Sequence, residues 1–278
     1  MGATLSLLNN IPSLLAENNL DLTQANLNNT LEELSSGSRI NSGADDPAGL
    51  AIANGLSANI AALQQSAANA NDGVGALQVA DGALSQVTTM LNRAVTLATE
   101  AANGTVSSSQ QAAIDTEYQQ ILQEINSIGT STTFNGTTVF STNATSIFLS
   151  DGVTNSSIGV TIGDLSTSEI GTTTVGLAGT TLTSVTNATT ALSAIDSAIA
   201  TVAAARGNLG ATMNRLTDAV NVMQNEVTNY TSAESAITSA DVGTVVSNLS
   251  QYQILQQTGM AALAQANSSQ QAVLKLLQ

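Results

Sequence analysis

A chain of 278 residues with 42% hydrophobic, 2% aromatic and 9% charged side chains is long enough for one or two domains with a sizeable core. Its twenty acidic and five basic residues set a net charge of −15, which disfavours nucleic-acid phosphates and anionic membranes as partners. Histidine, cysteine and tryptophan are absent, and with them go thiolate nucleophiles, disulfides, the usual zinc ligands and the commonest general base. The residues point to no catalytic, metal or cofactor site.

The chain opens MGATLSLLNNIPSLL, without a basic n-region. No apolar run reaches the roughly 18 residues that a membrane span needs, so neither ordinary signal-peptide export nor membrane insertion is expected. Leu20, Leu27, Leu31 and Leu34 then form one apolar stripe at helical spacing.

The stretch LSSGSRINSGADDPAGLAIANGL (Leu34–Leu56) interrupts that pattern with four glycines, two aspartates, a proline and Arg39, the only basic residue before Arg93. It lacks the spacing and the lysine of a phosphate loop, and no set of further carboxylates follows as a calcium loop requires. The residues read instead as a helix start, with Asp45 or Asp46 as N-cap and Pro47 in the first turn.

A long apolar seam follows through Leu56, Ile60, Leu63, Ala67, Ala70, Val74, Leu77, Ala80, Leu84, Val87, Leu91, Ala94 and Ala98. Steps of four and three mark a coiled-coil helix, and the two consecutive three-residue steps at Val74–Ala80 are a stammer. Asn103-Gly104 ends the helix, and Ser107–Ser109 supply a cap for the next, whose seam is Ile114, Tyr118, Ile121, Ile125 and Ile128. In TTFNGTTVF, Asn135-Gly136 between β-prone flanks is a hairpin signal. From there to about residue 186 the Ser, Thr and Gly content predicts a small antiparallel β region with exposed loops. That stretch reads equally as a carrier of O-linked sugars or as plain solvated loop.

The strictest repeat runs from Ala188 through Leu192, Ile195, Ile199, Val202, Arg206, Leu209, Met213, Leu216, Val220, Met223 and Val227 to Tyr230. Arg206 occupies a seam position, where an unpaired charge would cost several kcal/mol; antiparallel packing nominates Asp81 as partner and the pair as a register device. The carboxyl end carries a last apolar stripe finishing in Val273, Leu274, Leu276 and Leu277.

These elements predict a mainly α fold: a long antiparallel, coiled-coil-like helical bundle built by the amino- and carboxyl-terminal regions, with a small β-hairpin region in the middle. Residues 1–44 with 240–278 form inner helices and connector, 45–131 with 186–239 an outer bundle, and 132–185 the β and loop region. The apolar termini imply burial against each other or against neighbouring copies, since termini are ordinarily polar and frayed.

LSSGSRINSGADDPAGLAIANGLSANI, NANDGVGALQVADGAL and TFNG resemble the amino-terminal region of bacterial flagellins; RGNLGATMNRL and SNLSQYQILQQTGMAALAQAN resemble the carboxyl-terminal region. The resemblance implies a structural protein, not an enzyme. It implies a subunit that polymerises with itself into the extracellular flagellar filament, leaves unfolded through the flagellar type III channel and folds at the filament tip. It places Arg39, Asn41, Asp45 and Asp46 in a connector that makes subunit contacts. It also implies an export chaperone on roughly Val245 to Leu277, where Leu249, Ile254, Leu255, Leu263, Leu274 and Leu277 are the apolar residues for the chaperone and the filament core. Cap and junction proteins are further implied partners. For a Toll-like receptor, LNRAVTLA and DTEYQQIL supply Arg93, Leu97 and Glu117. Large outer domains are lacking, so a slender subunit is expected. The rivals are a hook–filament junction protein, which shares the terminal helices, and a secreted translocator that inserts into membranes.

Overall fold

The computed structural model describes residues 10–141, 145–152, 154–160, 162–163, 165–168 and 176–276. It divides the chain into two compact units, Met1–Ser57 with Tyr230–Gln278 and Ala58–Asn229. Leu277 lies outside the described residues, as do the side chains of Val273, Leu274 and Leu276.

The first unit pairs α1 (Ile11–Ser36) with α5 (Val242–Leu276). The side chain of Asn10 accepts from the backbone N–H of Ser13, and Pro12 sits in the first turn, an arrangement that satisfies or removes donors left orphaned at a helix start. Gly37 ends α1 with φ 70°, its N–H bonded to the Glu33 carbonyl, the left-handed stop that glycine adopts without a Cβ clash. The two helices are antiparallel: the Asn10 amide reaches Ala266 and Asn267, and Gln256 donates to Gln24.

The second unit holds α3 (Ser108–Ser131), most of α2 (Pro47–Ala101) and most of α4 (Val185–Thr238). Along α2 the seam is buried at Leu63, Ala70, Leu77, Ala80, Leu84, Val87, Leu91, Ala94 and Ala98. Each buried leucine contributes roughly 1.5–3 kcal/mol, which a lone helix in water cannot supply for itself. The α4 seam is buried at Ala188, Ile195, Val202, Leu209, Leu216, Val220 and Met223. Asp81 meets Arg206 and Gly73 meets Leu216, so α2 and α4 run antiparallel. Part of α4 is long and apolar enough by composition to cross a membrane, although polar residues interrupt it. Its seam residues from Ala188 to Val227 are nonetheless buried or half-buried.

Helix α3 turns back along α2. Ser107 and Gln110 form a capping box, and the Gln111 amide donates to the Ala101 carbonyl at 3.0 Å. The buried stripe of α3 is Gln111, Tyr118, Leu122, Ile125 and Gly129, whereas Ile114, Ile121 and Ile128 are only half-buried. The stripe is rotated from the expected seam because a second layer of chain covers this face.

That layer is the middle segment. β1 (Thr133–Phe134) and β2 (Thr137–Thr138) form a hairpin, with Asn135 and Gly136 at φ 48° and 78°, both positive as a type I′ turn requires. β3 (Thr145–Ser150) and β4 (Asn155–Val160) pair antiparallel with Ile147 opposite Ile158. These are two separate two-stranded sheets, and they lie on the helices instead of projecting as exposed loops. Ser66 of α2 bonds both backbone groups of Ser150, and Asn69 donates to the Phe148 carbonyl. The following strand of chain runs along α3: Asn126 accepts from Thr167, Gln119 donates to the Thr180 carbonyl, and Asp115 accepts from the Leu182 N–H. Phe140, Leu149, Val160, Leu165, Leu177 and Leu182 are buried beneath it.

Candidate functional site

Three groups of residues stand out among the described residues. The first is the connector. Arg39 donates its backbone N–H to the Thr238 carbonyl and its guanidinium to the Ile237 carbonyl, at 2.7 and 2.8 Å. Ser38 bridges Ser239, and Ala240 donates to Gly37. The two strands leaving α1 and α4 are thereby zipped together.

Within the same loop, Asp45 accepts from the N–H groups of Asn41 and Ser42 at 3.0 and 2.8 Å. These donors, Ser42 before Asn41, hold its carboxyl below the usual carboxylate range. Asn41 also donates its amide to the Ser38 carbonyl. Asp46, not Asp45, is the N-cap: its carboxylate accepts from Gly49 at 2.9 Å, with Pro47 opening α2. Sequence reading singled out no structural role for Asp241, which caps α5 through Gly243 and Thr244. Its pKa is lowered chiefly by the Thr244 hydroxyl, then by the backbone of Thr244 and Gly243. The signal was present in Asp241-x-x-Thr244 ahead of an apolar run.

The second group is charged. Arg206 donates to Asp81 from Nε at 2.7 Å and from a terminal nitrogen at 3.3 Å. Both side chains remain about a third exposed, at 38% and 34%, so the seam position does not impose the desolvation cost expected of a buried charge. The hydrogen bond to Asp81, followed by its charge, raises the Arg206 pKa. On the neighbouring helix pair, Arg93 and Glu117 form an exposed ion pair with Nε to Oε1 at 2.8 Å. Leu97 does not join them. It is 2% exposed, because α3 and α4 give α2 two neighbours and so widen its buried face beyond the seam; it offers no surface to a receptor on the folded unit.

The third group is the apolar surface of the α1–α5 pair. Leu14 and Leu15 are both 59% exposed, Leu22 64% and Ile254 61%. Leu31, Leu255, Met260 and Val246 are exposed as well, whereas Leu249 and Leu263 are half-buried. Leu20, Tyr252, Leu255 and Gly259 border a groove of about 530 Å³ between the two helices. Large apolar side chains at this density along both helices exceed the scatter normal for a soluble surface.

Residues 7–145 match a family described as the bacterial flagellin N-terminal helical region, and residues 192–277 match the bacterial flagellin C-terminal helical region. The chain is 35% identical to a flagellin of Halalkalibacterium halodurans, over 96% of this chain and 98% of that one. A flagellin of Xenorhabdus nematophila is 36% identical over 96% and 97%. A flagellar filament 30.7 kDa core protein of Treponema maltophilum is 32% identical over 96% and 98%.

Proposed function

Because the chain belongs to the bacterial flagellin family and is by that membership a structural subunit of the flagellar filament, we propose that it enters the filament by burying the apolar faces of α1 and α5 against neighbouring copies. The carrying observation is the row of exposed leucines and isoleucines on both helices of the first unit. A single copy leaves them in water; a polymer removes them from it, with roughly 25 cal/mol gained per Å² of apolar area. Head-to-tail contacts of this kind propagate as open helices, the form a filament needs. Within the first unit, the zipped connector at Arg39 ties the chain leaving α1 to the end of α4.

The remaining partners follow from the same faces. Before assembly the exposed Ile254 and Leu255, with Leu249 and Leu263 beside them, are the surface an export chaperone would hold during secretion through the flagellar channel. A junction protein would present matching helices at the filament base and a cap protein would cover the growing tip. For a Toll-like receptor, the exposed Arg93–Glu117 pair is the polar anchor. The role is structural and not catalytic; substrate turnover in an activity screen would refute that.

Seeded polymerisation tests the assembly reading. Purified full chain should extend filament seeds into uniform tubes seen by electron microscopy, and a truncation lacking Val245–Gln278 should not. Failure of the intact chain to extend seeds would refute the filament-subunit assignment and favour a junction role.

A further inference from the structure

Copies carrying a net charge of −15 repel one another when packed side by side, so each available cation matters to assembly. The chain has four arginines and one lysine. Arg93 and Arg206 pair with acids of their own chain, and the Arg39 guanidinium is directed at the Ile237 carbonyl. Among the described residues Arg215 is the one arginine without a hydrogen bond or ion pair. It is exposed on α4. Its helical neighbours at four residues, Ala211 and Ala219, offer no acceptor, and Asp218, three residues on, makes no ion pair with it.

We propose that Arg215 is an inter-subunit charge contact, its guanidinium pairing with a carboxylate on a second copy of this chain. The inference rests on the filament-subunit reading, which brings copies together. A guanidinium presents five N–H donors in a planar fork matched to a carboxylate. The complementary group is abundant: Asp72, Glu100, Glu124 and Asp196 are all exposed on the second unit and in no ion pair among the described residues. The contact converts one site of like-charge repulsion per copy into attraction, repeated along the polymer. It thereby favours one lateral register over others in which carboxylates face carboxylates.

The test is the critical concentration for seeded polymerisation of the full chain and of Arg215→Gln, Arg215→Lys and Arg215→Glu, at 0.05 M and 1 M sodium chloride, with circular dichroism confirming equal helicity. At low salt Arg215→Gln should raise the critical concentration about threefold, the size of an interfacial ion pair. Arg215→Glu should raise it further and Arg215→Lys less. At 1 M salt, where the Debye length is about 3 Å, the differences should shrink. Equality of Arg215→Gln with the parent at low salt would overturn the proposal, as would a deficit that salt leaves unchanged. A parent chain that does not polymerise would instead overturn the filament reading.

Discussion

Arg206 of α4 closes on Asp81 of α2 through two hydrogen bonds while both side chains stay about a third exposed. The pair marks the height at which two long antiparallel helices are aligned, and solvent screens it. Replacing Arg206 by alanine should therefore cost only about 0.2–1 kcal/mol. Urea unfolding at 0.05 M and 1 M sodium chloride checks this: the deficit should fade at high salt, and a loss insensitive to salt would mean that packing of the side-chain stem dominates.

Gly129 occupies a point on α3 where a methyl group would strike the backbone carbonyl of Leu165. Backbone cannot swing aside as a flexible side chain does. Gly129→Ala should destabilise the second unit by about 1–3 kcal/mol despite the higher helix propensity of alanine. A thermal melt showing equal or greater stability would place the covering segment farther from the helix.

Leu84 and Leu22 are chemically identical and differently situated, the first 2% exposed and the second 64%. Leu84→Ala should cost about 2–5 kcal/mol in monomer unfolding because it leaves a cavity. Leu22→Ala should change monomer stability by less than about 0.5 kcal/mol and instead raise the critical concentration for polymerisation. The reverse pattern would remove α1 from the assembly surface.

Acid should act first on the ends of helices. The carboxyls of Asp45 and Asp241 are held below the ordinary value of 3.8 by hydrogen bonds from backbone N–H groups and neighbouring hydroxyls. A group with a depressed native pKa contributes stability above its unfolded pKa and loses it as pH falls through the native one. The connector and the start of α5 should thus loosen below about pH 3.8 and be indifferent to pH between 5 and 8. Asp241→Asn should flatten the acid limb of the stability curve, measured by urea unfolding between pH 2 and 6.

The helices were legible because their apolar residues recur at the helical period, and the Ala188–Tyr230 and Leu56–Ala98 seams are buried or half-buried along their length. Leu97 was named from the family resemblance alone, and its burial could not be read from the seam, because a single seam describes a helix with one neighbour and α2 has two. The connector could be read as a helix start from Asp45, Asp46 and Pro47, but which aspartate caps α2 depended on loop geometry. Least legible was the course of the middle segment. Ser66, Asn69, Gln119 and Asn126 look like solvated helix positions in the sequence; in the structure they are hydrogen-bond anchors.

Those anchors, with Asp115, grip main-chain groups: the Ser150 amide and carbonyl, the Phe148 and Thr180 carbonyls, and the N–H groups of Thr167 and Leu182. Every residue except proline offers the same amide and carbonyl, whatever its side chain. Outward-facing positions such as Ser157 and Phe148 can therefore change while the covering segment keeps its seat. The polar grip of the helices falls chiefly on backbone, joined by Tyr118 and Asn126 on the Thr180 and Thr167 hydroxyls, and the outward side chains are left free to vary.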